Sequence, residues 1–312
     1  MENLLLSFGV VMPLMIYMAI GALLRAGGIV DERICRGANN IVFYVSLPVL
    51  CYEKIAASDL ASMIETPFLL YVGAGILLVI ALAQLIVPRF CRDDRRRGVL
   101  ILSTFRSNDA IFGLGVAAAL LGDDHLALMA LAIALSIPIF NLLSVIVLER
   151  YRDGKVGFGQ VVLRIFKNPV LLGCIAGFIA NLVHLNLPDV LQKPLDGVSS
   201  LTTPLAFIAL GGTITFSALR RNRVALITVS LFRLVIIPLA ALSVFLLLGF
   251  RGEPIVVALI VFGAPAAMTT YTMAVGVGAD DELAGSLVAI TSLLSIVSMF
   301  LFIFVLKQLA FI

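Results

Sequence analysis

Leu102-Ser103-Thr104-Phe105-Arg106-Ser107-Asn108-Asp109-Ala110-Ile111-Phe112-Gly113-Leu114-Gly115 carries an arginine, an asparagine, an aspartate and two glycines within an apolar run. Charged side chains inside a membrane span are costly, so such residues mark a functional site by default. The surrounding run extends from Gly98 to Leu121, long enough for a helix to cross a hydrocarbon core of roughly 30 Å. Asp109 stands 11 residues past Gly98. At about 1.5 Å per residue that is roughly 16 Å, near the middle of such a core.

The rest of the chain has the same character. Of its 312 residues 61% are hydrophobic and only 13% charged, against roughly 25% charged in a soluble domain. So few polar groups cannot clothe a soluble surface, and apolar runs of about 20 residues suit helices rather than barrel strands. The expected class is an all-α membrane protein without a separate soluble domain. The first run, Leu4 to Leu24, lacks a basic leader and a small-residue cleavage site, so it reads as a retained helix. Enzyme chemistry finds no support, because neither His-Glu-x-x-His nor Gly-x-Ser-x-Gly occurs. Cys35, Cys51, Cys91 and Cys174 are scattered, and His125 and His184 stand apart, so no metal site is expected. Neither a cofactor nor a nucleic-acid partner is expected.

Ten transmembrane helices fit the hydropathy, at 3–25, 36–57, 67–88, 98–121, 125–148, 168–186, 197–219, 223–249, 254–278 and 283–306. With the N-terminus outside, sixteen lysines and arginines fall in inner loops and four in outer ones. That bias sets both termini outside. Only Asp280-Asp281-Glu282, acidic yet inside, runs against it. Gly122-Asp123-Asp124-His125 closes the fourth span as Gly278-Ala279-Asp280-Asp281 closes the ninth, and Pro48 is echoed by Pro204. Five helices per half forces the second half to enter from the opposite side, giving a five-plus-five inverted repeat. The halves are residues 1–150 and 161–312, joined by a short polar link at 151–160.

In such repeats the binding site forms where corresponding helices break near the midplane. The fourth and ninth spans are the candidates, crossing at their breaks. Gly113 and Gly115 let the first leave helical geometry, and Gly263-Ala264-Pro265 interrupts the second. Half-helix N-termini offer free N–H groups and positive partial charge, suited to a carboxylate. Ser107, Asn108, Gly113, Gly115, Pro265, Ala266, Thr269, Thr270 and Tyr271 are the expected substrate-binding residues, with Asp109, Arg106 and Arg233 as charge or coupling candidates. Arg106 and Asp109 are three apart and on an intact helix would neutralise each other. Thr269 and Thr270 have a competing use, bonding back to the preceding turn. Pro48, Pro138, Pro204 and Pro238 read as kinks, and Gly173-x-x-x-Gly177 as a close helix contact.

Gly21-Ala22-Leu23-Leu24-Arg25, Ser46-Leu47-Pro48, Asn168-Pro169 and Ala264-Pro265-Ala266-Ala267 followed by Tyr271, Ala274 and Gly278-Ala279-Asp280 occur in an order and spacing similar to the auxin efflux carrier family. That family includes the plant PIN-FORMED proteins and bacterial relatives. The resemblance spans nearly the whole chain. It implies ten helices with the fourth and ninth crossed, and a scaffold of helices 1, 2, 6 and 7. It also implies a mobile bundle of helices 3–5 and 8–10, an elevator motion and a homodimer. It places Asn108 before the first crossover and Pro265 at the second. Gly113-Leu114-Gly115 stands where the family often has Gly-x-Pro, and Arg106 and Asp109 differ from the plant pattern.

The expected function is secondary transport of small organic anions, carboxylates above all, across a bacterial inner membrane, with Asp109 as the proton-coupling candidate. The expected partners are thus the organic anion, protons and the lipid bilayer. Two rivals stay open: a sodium-coupled carrier of the bile-acid type, and a membrane sensor that binds without transport.

Overall fold

A computed structural model describes residues 2–57, 67–121, 127–152, 163, 167–185, 187–213 and 216–312. Residues 122–126, where the fourth span is expected to close, and most of the expected 151–160 link lie outside the described residues. Among those described, every regular element is a helix, and one isolated antiparallel bridge is the sole β-type pairing. The helices are α1 Glu2–Ala26, α2 Glu32–Ala56, α3 Pro67–Phe90, α4 Asp94–Phe105, α5 Leu114–Leu121, α6 Ala127–Arg150 and α7 Pro169–Leu182. After them come α8 Asp189–Ser200, α9 Thr202–Gly211, α10 Phe216–Arg221, α11 Arg223–Leu247, α12 Glu253–Gly263, α13 Met268–Val277 and α14 Asp281–Gln308. By length and composition α2, α3, α6, α11 and α14 can cross a membrane, and Met15–Ala26 of α1, α7 and α12 add shorter apolar helices.

Local chemistry sets the helix starts. Asp31, Asp93, Asn168 and Asp280 each cap a helix, accepting from the backbone N–H of Ile34, Arg95, Val170 and Leu283, and so satisfy donors that a helix leaves free. Pro169 follows its cap at the first helical position, where its missing N–H costs nothing. Pro48 and Pro238 are absorbed differently. A π-helical turn precedes each, Val42–Ser46 and Phe232–Ile236, with Leu47 and Ile237 bonded back to Val42 and Phe232. The widened turn makes room for a ring that lacks an N–H and crowds the carbonyl four residues back. The expected seventh span at 197–219 differs most: it is three pieces, α8, α9 and α10, with a turn at Leu201 shortly before Pro204.

Close packing follows the glycines. A Cβ on Gly173 would meet the Pro48 carbonyl oxygen at 2.3 Å, and one on Gly177 the Tyr52 oxygen at 2.6 Å, so α7 lies directly on α2. A Cβ on Gly211 would likewise collide with the Met18 carbonyl oxygen where α9 crosses α1. Gly177→Val is expected to lower stability by about 1–3 kcal/mol through overpacking, read as a lower melting temperature of the detergent-solubilised protein. Elsewhere α3 packs on α4, α11 on α12, and α14 on both α13 and α4. At the centre is α12: Ile255 through Gly263 are all buried, as befits a helix apolar on every face.

The acidic Asp280-Asp281-Glu282 turn sits among arginines. Arg36 pairs with Asp281 at 3.0 Å, Arg96 lies 3.8 Å from Asp280, and Arg221 pairs with Glu282. The helix ends bearing these arginines and the acidic turn therefore share one end of the molecule. Its charge is compensated locally, which explains why it runs against the basic bias.

Candidate binding site

Two helices break at the same place. α4 ends at Phe105, and Arg106 turns extended with φ −76° and ψ 107°. α12 ends at Gly263, and Ala264 turns extended with φ −63° and ψ 153°. The two extended links run antiparallel, bridged at Ser107 and Ala266. Asn108 N–H donates to the Pro265 carbonyl at 3.0 Å, and Ala267 N–H to the Arg106 carbonyl at 3.1 Å. Each break thus satisfies backbone groups of the other, which apolar surroundings would otherwise leave unpaired at a cost of several kcal/mol each. Pro265 contributes an acceptor and has no N–H to strand. Beyond the breaks the chain resumes as a π-helical turn, Asp109–Gly113, leading into α5, and as α13. Two helix C-termini and two N-termini meet at one point.

This differs from expectation in three respects. The first break lies at Arg106–Asn108, ahead of Gly113 and Gly115, because pairing with the other strand holds it open rather than glycine flexibility. Gly113 serves contact instead: a Cβ there would fall 2.4 Å from Ile260 of α12, while Gly115 lies within α5. Pro265 sits in the break itself, and the second half-helix begins at Met268.

Three charged side chains are buried here. Arg233, from the π turn of α11, is 1% exposed. Its Nε donates to the Ala264 carbonyl at 2.9 Å, its Nη1 to Thr104 and Phe105 at 3.4 and 3.3 Å, and its Nη2 to Val261 at 3.4 Å. One guanidinium thereby caps the C-terminal ends of both α4 and α12, where carbonyls and the helix dipole concentrate negative potential. Arg106 donates to Thr269 Oγ1 at 2.6 Å, to Ser144 Oγ at 2.7 Å and to Asn141 Oδ1. All three acceptors are neutral. Asp109 accepts from Ser136 Oγ and opens the π turn, at the positive end of the second half-helix. With the helix broken between them, Arg106 and Asp109 form no ion pair, and each is hydrogen-bonded to neutral side chains instead. Among the described residues, two buried arginines against one buried aspartate leave the crossing with one positive charge in excess.

Of the remaining expected residues, Ser107 and Asn108 lie in the first link, and the Ser107 hydroxyl and Asn108 Nδ2 are buried with no hydrogen-bond partner among the described residues. Thr270 and Thr272 hydroxyls on α13 are likewise unpartnered. Thr269 serves Arg106 rather than its own helix. Ala266 N–H is held by Thr291 Oγ1 at 3.2 Å. No side chain caps α13 at Ala267. Tyr271 lies apart from this group: its hydroxyl is 3.1 Å from Thr213 Oγ1. Ser136, Asn141, Ser144 and Thr291 belong to the site but were not anticipated. The first three share one side of an otherwise apolar helix, a pattern that marks them in hindsight.

A family sequence model described as membrane transport protein matches residues 6–303. The chain belongs to this auxin efflux carrier-like family. An uncharacterized transporter of Methanocaldococcus jannaschii is 25% identical over 303 residues, covering 94% of this chain and 96% of the relative. Another, from Methanothermobacter thermautotrophicus, is 25% identical over 293 residues, covering 93% and 95%. Membership of a membrane transport family, with several apolar helices, makes this a multi-pass membrane protein. Both broken helices lie inside the region this transporter family covers.

Proposed function

We propose that the protein is a secondary transporter of small organic anions, monocarboxylates first among them. The observation that carries this reading is the crossing. It joins one excess positive charge to buried, unpartnered hydroxyl and amide groups at Ser107, Asn108 and Thr270 and to the uncapped start of α13. A single carboxylate would neutralise that charge and take those donors. Donors preorganised in a water-poor site bind an anion strongly. A thermal-shift screen of purified protein against mono- and dicarboxylates, aromatic acids included, tests it: specific stabilisation is expected. No shift with any acid would remove the reading.

In this reading the helices form ten spans in a five-plus-five inverted repeat within a bacterial inner membrane, both termini outside. The spans built from α1, α2 and α7 to α10 are the scaffold of a homodimer. The bundle of α3 to α6 and α11 to α14 moves against it as an elevator. Among the described residues, five polar contacts join the two groups: Arg36 with Asp281, Arg221 with Glu282, Asn39 Nδ2 with the Thr272 carbonyl, Tyr271 with Thr213, and Asn141 with Cys51. They are few enough to exchange during such a motion.

Asp109 is the proton-coupling candidate: it is buried at the crossing, and among the described residues Ser136 is the side-chain donor it accepts from. Asp109→Asn is expected to make uptake into proteoliposomes insensitive to an imposed pH gradient. Full gradient-driven uptake by that variant would end its role. The sodium-coupled reading needs an oxygen cage at the crossing. The carbonyls converging there are engaged by Arg233, so uptake is expected to persist when sodium is replaced at fixed pH. Tight binding without flux would instead favour a sensor.

A further inference from the structure

A cavity of about 890 Å³ runs between α3 and α11, within the roughly 300–1,000 Å³ typical of ligand sites. Its lining on α3 reaches from Tyr71 to Phe90, which at about 1.5 Å per residue is nearly a full hydrocarbon thickness. Small residues such as Gly75 and Ala240 make it deep, and large apolar ones such as Leu82 and Val244 form its lips. Its floor includes Thr104, whose hydroxyl is turned back to the Leu100 carbonyl at 2.8 Å and leaves the floor apolar.

Charge lies at one end only. Arg96 lines the groove there. Arg92 follows the lining residue Cys91, and Arg223 precedes the lining residue Val224. Of the nearby acids, Asp93 caps α4 through the Arg95 N–H, Asp94 pairs with Arg97, Asp280 with Arg96 and Glu282 with Arg221. Arg92 and Arg223 are exposed and in no ion pair among the described residues. A long apolar trough with a basic mouth at one end matches an acyl chain ending in a phosphate.

We infer that this groove binds one anionic phospholipid of the arginine-side leaflet, its acyl chain between α3 and α11 and its phosphate at Arg92, Arg96 and Arg223. Basic pockets between membrane helices recognise anionic headgroups in this way. The chain would lie against the end of α4, whose Thr104 carbonyl accepts from Arg233. The bound lipid would thus close the bundle beside the crossing.

The test is native mass spectrometry of the purified protein titrated with phosphatidylglycerol or phosphatidylcholine. One phospholipid per chain is expected to persist, with the anionic lipid preferred about fivefold for each arginine engaged. Ala240→Trp, at an exposed groove position, should lose the bound lipid. The exposed double variant Arg92→Gln/Arg223→Gln should fold normally, keep phosphatidylcholine binding and lose the anionic preference. No retained lipid, retention unchanged in Ala240→Trp, or an undiminished preference in the double variant would each overturn the assignment.

Discussion

Arg233→Leu is expected to abolish transport and to lower the melting temperature by several degrees. Its guanidinium spans four carbonyls from two helix ends. Each buried acceptor left without a donor costs about 1–3 kcal/mol. The two C-terminal dipoles would also face each other uncompensated. Together these losses reach on the order of 3 kcal/mol or more. Arg233→Lys should recover part of both properties, because an ammonium donates to some of these carbonyls but cannot bridge both helix ends. Thermal unfolding in detergent, alongside uptake into proteoliposomes, measures the two effects. A leucine variant as stable as the parent would show that the crossing does not depend on this cap.

Arg106→Gln should act on binding more than on the fold. Glutamine keeps a donor toward Thr269 or Asn141 but removes the excess charge. The first break is held by the Asn108–Pro265 and Ala267–Arg106 backbone bonds, which do not need the side chain. A charge-assisted hydrogen bond to a carboxylate is worth about 1.5–3 kcal/mol, so affinity should fall roughly tenfold to a hundredfold. Carboxylate titrations followed by thermal shift measure it. Unchanged carboxylate stabilisation in the variant would place the anion elsewhere.

How much of this was legible follows from where the information lies. Helix positions follow from apolar runs, and most termini from caps such as Asn168-Pro169. The second break was readable because Pro265 cannot continue a ladder. The first was misplaced onto glycines because nothing within Arg106-Ser107-Asn108 forbids a helix. What opens it is pairing with a segment more than 150 residues away. The same distance hid the role of Arg233: its acceptors are main-chain carbonyls, which no side-chain pattern announces. The spacing of Arg106 and Asp109 suggested a pair only on the premise of an intact helix, and the break removes that premise. Ser136, Asn141 and Ser144 were visible as polar letters on one side of an apolar span. Their meaning needed the arginine and the aspartate that they hold.

In this reading the crossing holds an organic anion and the moving bundle carries it across the membrane. The most direct measurement is uptake of a mixed carboxylate panel into proteoliposomes, read by mass spectrometry of the washed vesicles. The wild-type protein is expected to accumulate one acid or one narrow class, and Arg106→Gln and Asn108→Ala, assayed in parallel at a substrate level near the wild-type affinity, to accumulate several-fold less. Accumulation at wild-type levels by both variants, or none by the wild type despite carboxylate binding, would contradict the account.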